Sequence, residues 1–285
     1  MNGRQFILTA VAYALCSLVS IASAAEQGKS QTVGDRSLIE LWESGQPAFG
    51  QYVTQHTQAK SDDSSAVPAP YTVQTGLDLA ANPLLDFAFL SLEQHYDADS
   101  ARDVAKGIGA HGADHALPLL VRIPPISVDG VDAARARVKE LVAMGANGVV
   151  IPHVLTVEEA RTAVSFFEGV DVWSPTNPEG DIVAMLIIED PDVFSDLEEI
   201  ANIPGYSALV CGIGSLTSAL GGDREAAEAI NMQVLAESKR AGKPNLTTVS
   251  TESVARRVDQ GFLALLAYGS DSNEAIRLGR RAAGR

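Results

Sequence analysis

The chain has 285 residues, 46% of them hydrophobic and 20% charged, an ordinary globular composition that excludes a disordered segment as its main character. Its length suits one barrel of roughly 250 residues with additions. A net charge of −15 gives a surface that repels phosphate backbones, so no nucleic-acid partner is expected.

Along the chain, Arg4 supplies a basic start and Phe6 opens an uncharged, mostly apolar run that ends at Ile21. Ala22-Ser23-Ala24 then supplies small residues in the pattern a signal peptidase reads, so residues 1–24 are predicted to be a cleavable signal peptide. The mature chain, 25–285, is expected in a secreted or periplasmic location with no membrane association after cleavage. An uncleaved anchor is the alternative, because the run approaches spanning length. Residues 25–36 are polar and read as frayed, and 60–70 (KSDDSSAVPAP) read as a surface loop. Cys16 leaves with the signal, and Cys211 lies within the apolar run Leu209-Val210-Cys211, which makes it a core residue rather than a nucleophile. No CxxC, HExxH or GxxxxGK[ST] pattern occurs, so zinc-motif and P-loop readings have no support.

Eight short apolar runs read as strands: 49–53, 87–92, 117–123, 148–152, 182–188, 208–212, 245–250 and 262–268. Helical spacing fills the intervals. Val131, Ala134, Val138, Leu141 and Val142 share one helix face. Thr156 before Val157-Glu158-Glu159 reads as an N-cap, and Thr251 before Glu252 repeats the device. A long helix over 223–241 stops at Gly242, with Pro244 just beyond. Strands apolar on both faces and separated by helices imply a parallel sheet. Eight such units close most naturally into a (β/α)8 barrel; an open doubly wound sheet is the alternative, disfavoured because no GxGxxG follows any strand.

In a barrel, functional residues stand at the C-terminal ends of the strands. The second run leads into Glu93-Gln94-His95, the third ends at Arg122, the fourth at Pro152-His153, the fifth at Glu189-Asp190, and the sixth opens into Gly212-Ile213-Gly214-Ser215. An imidazole, a guanidinium and a carboxylate at one mouth suit an oxo-acid substrate. The carboxylate holds a divalent cation, the arginine pairs with a carboxylate or enolate, and the histidine moves a proton. Each has a plainer alternative: a surface histidine at His95, a rim ion pair at Arg122, a structural salt bridge at Glu189. His153 reads as a polar rim residue. His111 and His115, before the third strand, are assigned nothing.

These segments resemble the HpcH/HpaI aldolase/citrate lyase family across nearly the whole mature chain. LWESGQPAFGQYV at 41–53 resembles its opening helix and strand, LLVRIPP at 119–125 its third strand, and GANGVVIPHVLTVEEA at 145–160 its fourth strand and helix. IIEDPDVFSDLEEIANIPGYSALVCGIGSLTSALG at 187–221 resembles the fifth and sixth strands, and AGKPNLTTVS with AYGSDSNEAIR the last two. The resemblance implies a phosphoenolpyruvate/pyruvate-type barrel and a carbon–carbon lyase acting on a 2-keto-hydroxy acid with Mg2+ or Mn2+. It implies Arg122 and His95 as catalytic residues, Glu189 as a metal ligand, and Arg122 with the backbone of Gly212, Gly214 and Ser215 as the substrate-binding set. It also implies a homotrimer or hexamer built through the last helix, 273–283.

The sequence departs from the family at three places. Ser215 stands where the family has its second metal carboxylate, Ile187 where it has a glutamine, and Gln94 where an acid precedes the histidine. Losing a carboxylate weakens a site built for a hard dication. The expectation is therefore an aldolase with an atypical metal site, weak or lost. The alternative is a non-catalytic exported barrel that binds a small oxo-acid or another acidic metabolite.

Overall fold

A computed structural model describes residues 37–54, 71–110 and 117–285. The signal segment, the polar stretches 25–36 and 60–70, and His111 and His115 lie outside the described residues. Among the described residues, no helix is long and apolar enough to cross a membrane.

Eight strands follow the expected runs, β1 shifted one residue earlier and the others trimmed by up to two residues at an end: β1 Ala48–Tyr52, β2 Phe87–Ser91, β3 Leu119–Arg122, β4 Gly148–Ile151, β5 Val183–Ile188, β6 Ala208–Cys211, β7 Leu246–Val249 and β8 Ala264–Ala267. All pair in parallel, in the order β6-β5-β4-β3-β2-β1-β8-β7. The β6–β7 seam is closed by the Leu209 N–H donating to Pro244 O and the Asn245 amide donating to Leu209 O. The result is a nearly closed (β/α)8 barrel.

Eleven α-helices are described: α1 Leu38–Glu43, α2 Val73–Ala80, α3 Ala98–Gly109, α4 Ile126–Asp129, α5 Val131–Ala143, α6 Val157–Ser165, α7 Leu197–Ala201, α8 Ile213–Ala219, α9 Arg224–Arg240, α10 Val254–Gln260 and α11 Ser272–Ala282. Thr156 caps α6 as expected, its hydroxyl accepting from Glu159 N. Thr251 does not cap α10. Residues 251–253 form a turn closed by the Ser250 N–H on Ser253 Oγ, and the helix begins two residues later than expected. In α5 the buried positions are Ala134, Val138 and Leu141.

Two apolar layers sort by strand parity. Phe49, Leu90, Val121, Ile151, Leu186 and Cys211 point outward into the layer beneath the helices. Phe87, Phe89, Leu120, Val150, Met185 and Leu266 pack in the other cluster, inside the barrel. Gly50 and Gly148 make room there, since a Cβ at Gly50 would stand 2.5 Å from the Phe87 ring. At the N-terminal face, α1 closes the barrel. Trp42 donates to Leu263 O and lies 5.7 Å from the Trp173 ring, which in turn donates to Glu43.

The same face carries a buried ionic knot. Asp86, at the entry to β2, accepts from Phe49 N, from Arg280 at 2.7 Å and from Arg285 at 2.9 Å. These bonds hold α11 and the chain end on their own barrel, where α11 packs against β1, β8 and α10. A buried carboxylate with this many donors is a structural device, and it sits on the face opposite the functional mouth.

Candidate functional site

The parity that fills the barrel also delivers the site. Continuing the inward columns past Phe89, Leu120, Ile187 and Val210 brings Ser91, Arg122, Glu189 and Gly212 to the C-terminal mouth. On β1 the same column ends at Tyr52.

The ends of β2, β3, β4 and β5 meet in one chain of contacts. Arg122 Nε and Nη2 donate to Ser91 Oγ at 3.0 and 2.9 Å, and Nη2 lies 2.7 Å from Glu93 Oε2. The other Glu93 oxygen, Oε1, stands 3.1 Å from His153 Nε2. On the far side of the ring, His153 Nδ1 lies 3.2 Å from Glu189 Oε1, which also accepts the His153 backbone N–H. Glu93, His153 and Glu189 thus offer ligand atoms within 4.8 Å of one another, the one such grouping among the described residues. The Arg122 guanidinium is braced over the Phe89 ring at 5.9 Å.

Local backbone choices make this convergence possible. Glu189 is 4% exposed, and a buried carboxylate needs a cationic or donor partner. It fits because Gly212 has no side chain: a Cβ there would lie 2.1 Å from Glu189 Oε2. His153 is the only described non-glycine residue with positive φ, at 52°. That conformation is uncommon in non-glycine residues, with Asn, Asp and His the ones enriched in it, and sparsely populated backbone of this kind clusters at functional sites. It turns the ring back between the two carboxylates. Tyr52 completes the wall. Burial pushes its phenol up, the Arg122 charge pulls it down, and the Glu93 and Glu189 charges push it up again, so it stays protonated at neutral pH within their field.

The residues expected from sequence fall in different places. Arg122 and Glu189 are in the cluster. His95 is not: its side chain is exposed, two residues past Glu93 and beside Asp97. Asp97 is held below the usual carboxylate range by its bond from Ser100, with backbone donors and the His95 charge adding to it. His153, read as a rim residue, occupies the central position instead. Gly212, Gly214 and Ser215 form the turn that opens α8. The Gly212 N–H already donates to Ile188 O at 3.0 Å, which leaves first-turn amides beyond it for a ligand. Ser215 is exposed. Ile187 lies in the apolar interior beneath Glu189. Cys211 points into the helix layer, and burial pushes its thiol up to about 12, so it takes no part.

Comparison with known proteins fits this geometry. The model of the HpcH/HpaI aldolase/citrate lyase family matches residues 90–277. An HpcH/HpaI aldolase from Desulfitobacterium hafniense DCB-2 superposes with a TM-score of 0.63 at 19% identity, over 87% of this chain and 96% of its own. A family protein from Burkholderia cenocepacia J2315 gives 0.61 at 20% identity, over 87% and 97%. The citrate lyase beta subunit from M. tuberculosis, solved with oxaloacetate and magnesium, gives 0.53 at 16% identity, over 75% and 92%. No curated protein sequence matches.

Proposed function

The chain belongs to the HpcH/HpaI aldolase/citrate lyase family, and from that premise we propose that it is a carbon–carbon lyase acting on a 2-keto-hydroxy acid or a related oxo-acid. The observation that carries the reading is the Glu93–His153–Glu189 grouping beside Arg122 at the barrel mouth.

The residues fit a divalent cation. Two carboxylates and an imidazole converge, and the glycine at 212 leaves the space into which Glu189 Oε2 projects. Glu189, Glu93 and His153 would hold the ion. Bound there, it would supply Lewis acidity to the oxo group of the substrate. The chain's own groups do the rest. Arg122, oriented by Ser91, binds the substrate carboxylate or the oxyanion that develops when the carbon–carbon bond breaks and its electron pair passes to the oxo oxygen. Tyr52, still carrying its proton, is placed to donate a hydrogen bond at the same oxygen. The first-turn amides of α8 at Gly214 and Ser215 face a substrate carboxylate. His95, exposed at the entrance, is left to exchange protons through solvent. Export through the signal segment and assembly into a trimer or hexamer belong to the same proposal.

A second reading, oxo-acid binding without turnover, draws support from His95 standing outside the cluster. Calorimetric titration with Mn2+, then with oxalate, tests both. Metal binding that tightens with oxalate, together with chelator-sensitive cleavage of 2-keto-hydroxy acids, supports the lyase. Oxalate binding without turnover supports the receptor. Under either reading Arg122→Ala loses oxalate, and undiminished binding by that variant places the ligand elsewhere.

A further inference from the structure

We infer that the tail of the substrate, beyond the carbon–carbon bond to be broken, is a short, neutral, hydroxylated chain. It lies in a pocket between the ends of β1 and β8, where Tyr268 and Asn273 select it. This names the substrate class of the proposed lyase and rests on that reading's placement of the oxo-acid at Arg122.

The pocket follows from strand pairing. Gln51 stands opposite Ala267 in the β1–β8 ladder, so Tyr52 and Tyr268 leave the two strands side by side. With Thr54, Ser270 and Asn273 they wall a pocket of about 150 Å³. Tyr52 is the partition. It meets the Phe89 ring edge-on at 5.2 Å, and Phe89 carries the Arg122 guanidinium at 5.9 Å. A chain that starts at Arg122 and passes Tyr52 therefore enters this pocket. At roughly 30 Å³ for each water-sized group, the space takes about five non-hydrogen atoms, enough for two hydroxylated carbons.

The walls specify the tail. None of the side chains lining the pocket is charged, and Asp271, next in the chain, takes the Ser270 hydroxyl proton at 3.0 Å. A carboxylate or phosphate brought there would give up water with no cation to receive it. Hydrogen-bonding groups are nevertheless left open. Asn273 Oδ1 accepts from Asn82 at 2.9 Å, which leaves the Asn273 N–H bonds for a ligand. The Gln51 amide, the Thr54 hydroxyl and the Tyr268 phenol have no partner among the described residues. An apolar tail would strip these groups of water and return nothing. Tyr268 is 53% exposed, and its ring offers a face to the C–H side of a hydroxylated chain while the amides take the hydroxyls.

The test uses the full purified chain with Mn2+ and three six-carbon acids that differ only in the tail: 4,5,6-trihydroxy-2-oxohexanoate, 4-hydroxy-2-oxohexanoate and 4-hydroxy-2-oxoadipate. Each has the same cleavage open to it. The 4-hydroxyl gives up its proton as the C3–C4 bond breaks, and C3 takes a proton as pyruvate forms beside glyceraldehyde, propanal or 3-oxopropanoate. Two readouts are taken, displacement of oxalate and kcat/KM for pyruvate release. The trihydroxy acid is expected to displace oxalate at a concentration at least about tenfold lower than either competitor. In Tyr268→Ala and in Asn273→Ala, both at exposed positions, that preference should fall at least about threefold. A competitor that binds as tightly as the trihydroxy acid, or a preference intact in both variants, overturns the inference, and cleavage of any of the three would then leave the lyase reading standing. Preference for the trihydroxy acid without pyruvate release keeps the tail pocket and overturns the lyase. No displacement of oxalate by any of the three overturns both. Should a variant fail to fold, the ranking of the three acids on the wild-type chain decides alone.

Discussion

Gly212→Ala is the sharpest single probe of the site, because its effect is set by one collision. At Gly212 the backbone has φ −74° and ψ 68°, a conformation open to alanine, so no strain arises from the main chain. The new methyl would instead lie 2.1 Å from Glu189 Oε2, 2.6 Å from its carboxyl carbon and 2.7 Å from its Cβ. Ordinary contact needs more than about 3.4 Å, so the carboxylate has to retreat by about 1 Å in a packed interior. Overpacking of this kind costs about 1–3 kcal/mol. For a domain of this size that lowers Tm by about 2–12 °C. Function should suffer more than stability. The displaced carboxylate carries the His153 backbone N–H with it, and a ligand misplaced by about 1 Å is expected to weaken cation binding on the order of 100-fold. Calorimetric metal titration and thermal denaturation of the same preparation measure both. In a Glu189→Gly background the methyl has nothing to strike, so the second substitution should add no further thermal loss there. Wild-type metal affinity in Gly212→Ala would refute the placement of Glu189 against this turn and with it the cation site.

Two further substitutions test the frame rather than the mouth. Asp86→Ala leaves Arg280 and Arg285 facing each other without their shared carboxylate, and should cost about 3–5 kcal/mol in chemical denaturation; a loss below about 1 kcal/mol would show that α11 is held by its apolar face alone. Asn231, in α9, is fully buried with neither amide atom bonded. Asn231→Leu should raise stability by about 1–3 kcal/mol, and a fall would indicate buried water satisfying the amide.

The fold was legible because its two signals are coarse and repeated. Eight apolar runs separated by helical spacing survive shifts of no more than two residues at either end, as at 117–123, where the ladder begins only at Leu119 beyond Pro118. Arg122 and Glu189 were legible for a related reason, since a charged residue ending an apolar strand has to be satisfied at the mouth. His95 and His153 could not be ranked from spacing. Both follow strands, and what separates them is a φ of 52° that swings one ring inward, a choice that depends on Glu189 accepting the His153 N–H across 36 residues of sequence. Glu93 was passed over for its histidine neighbour. Inward parity could have found Tyr52, because Ala48, Gly50 and Tyr52 alternate down one column of β1. At α10, an N-cap pattern at Thr251 lost to a competing turn in which Ser253 supplies the bond.

Glu93 links the two halves of the site and makes their coupling measurable. One of its oxygens meets His153 and the other meets Arg122 at 2.7 Å. An oxo-acid that takes Arg122 through its carboxylate has to displace Glu93, and a displaced carboxylate, 11% exposed at its side chain, needs a cation. A divalent ion beside His153 supplies one. Metal and oxo-acid should therefore bind cooperatively, and linkage requires the factor to be the same in either order, on the scale of 5–150-fold, or about 1–3 kcal/mol. Glu93→Gln breaks the argument at its hinge. The amide holds Arg122 far less firmly, so oxalate binding without metal should strengthen, while metal binding weakens and the coupling falls toward unity. Titrating oxalate with and without Mn2+, in wild type and in Glu93→Gln, closes the cycle. Coupling that persists undiminished in the variant would mean that Arg122 and the cation communicate through the substrate alone, and that the Glu93 contact is incidental.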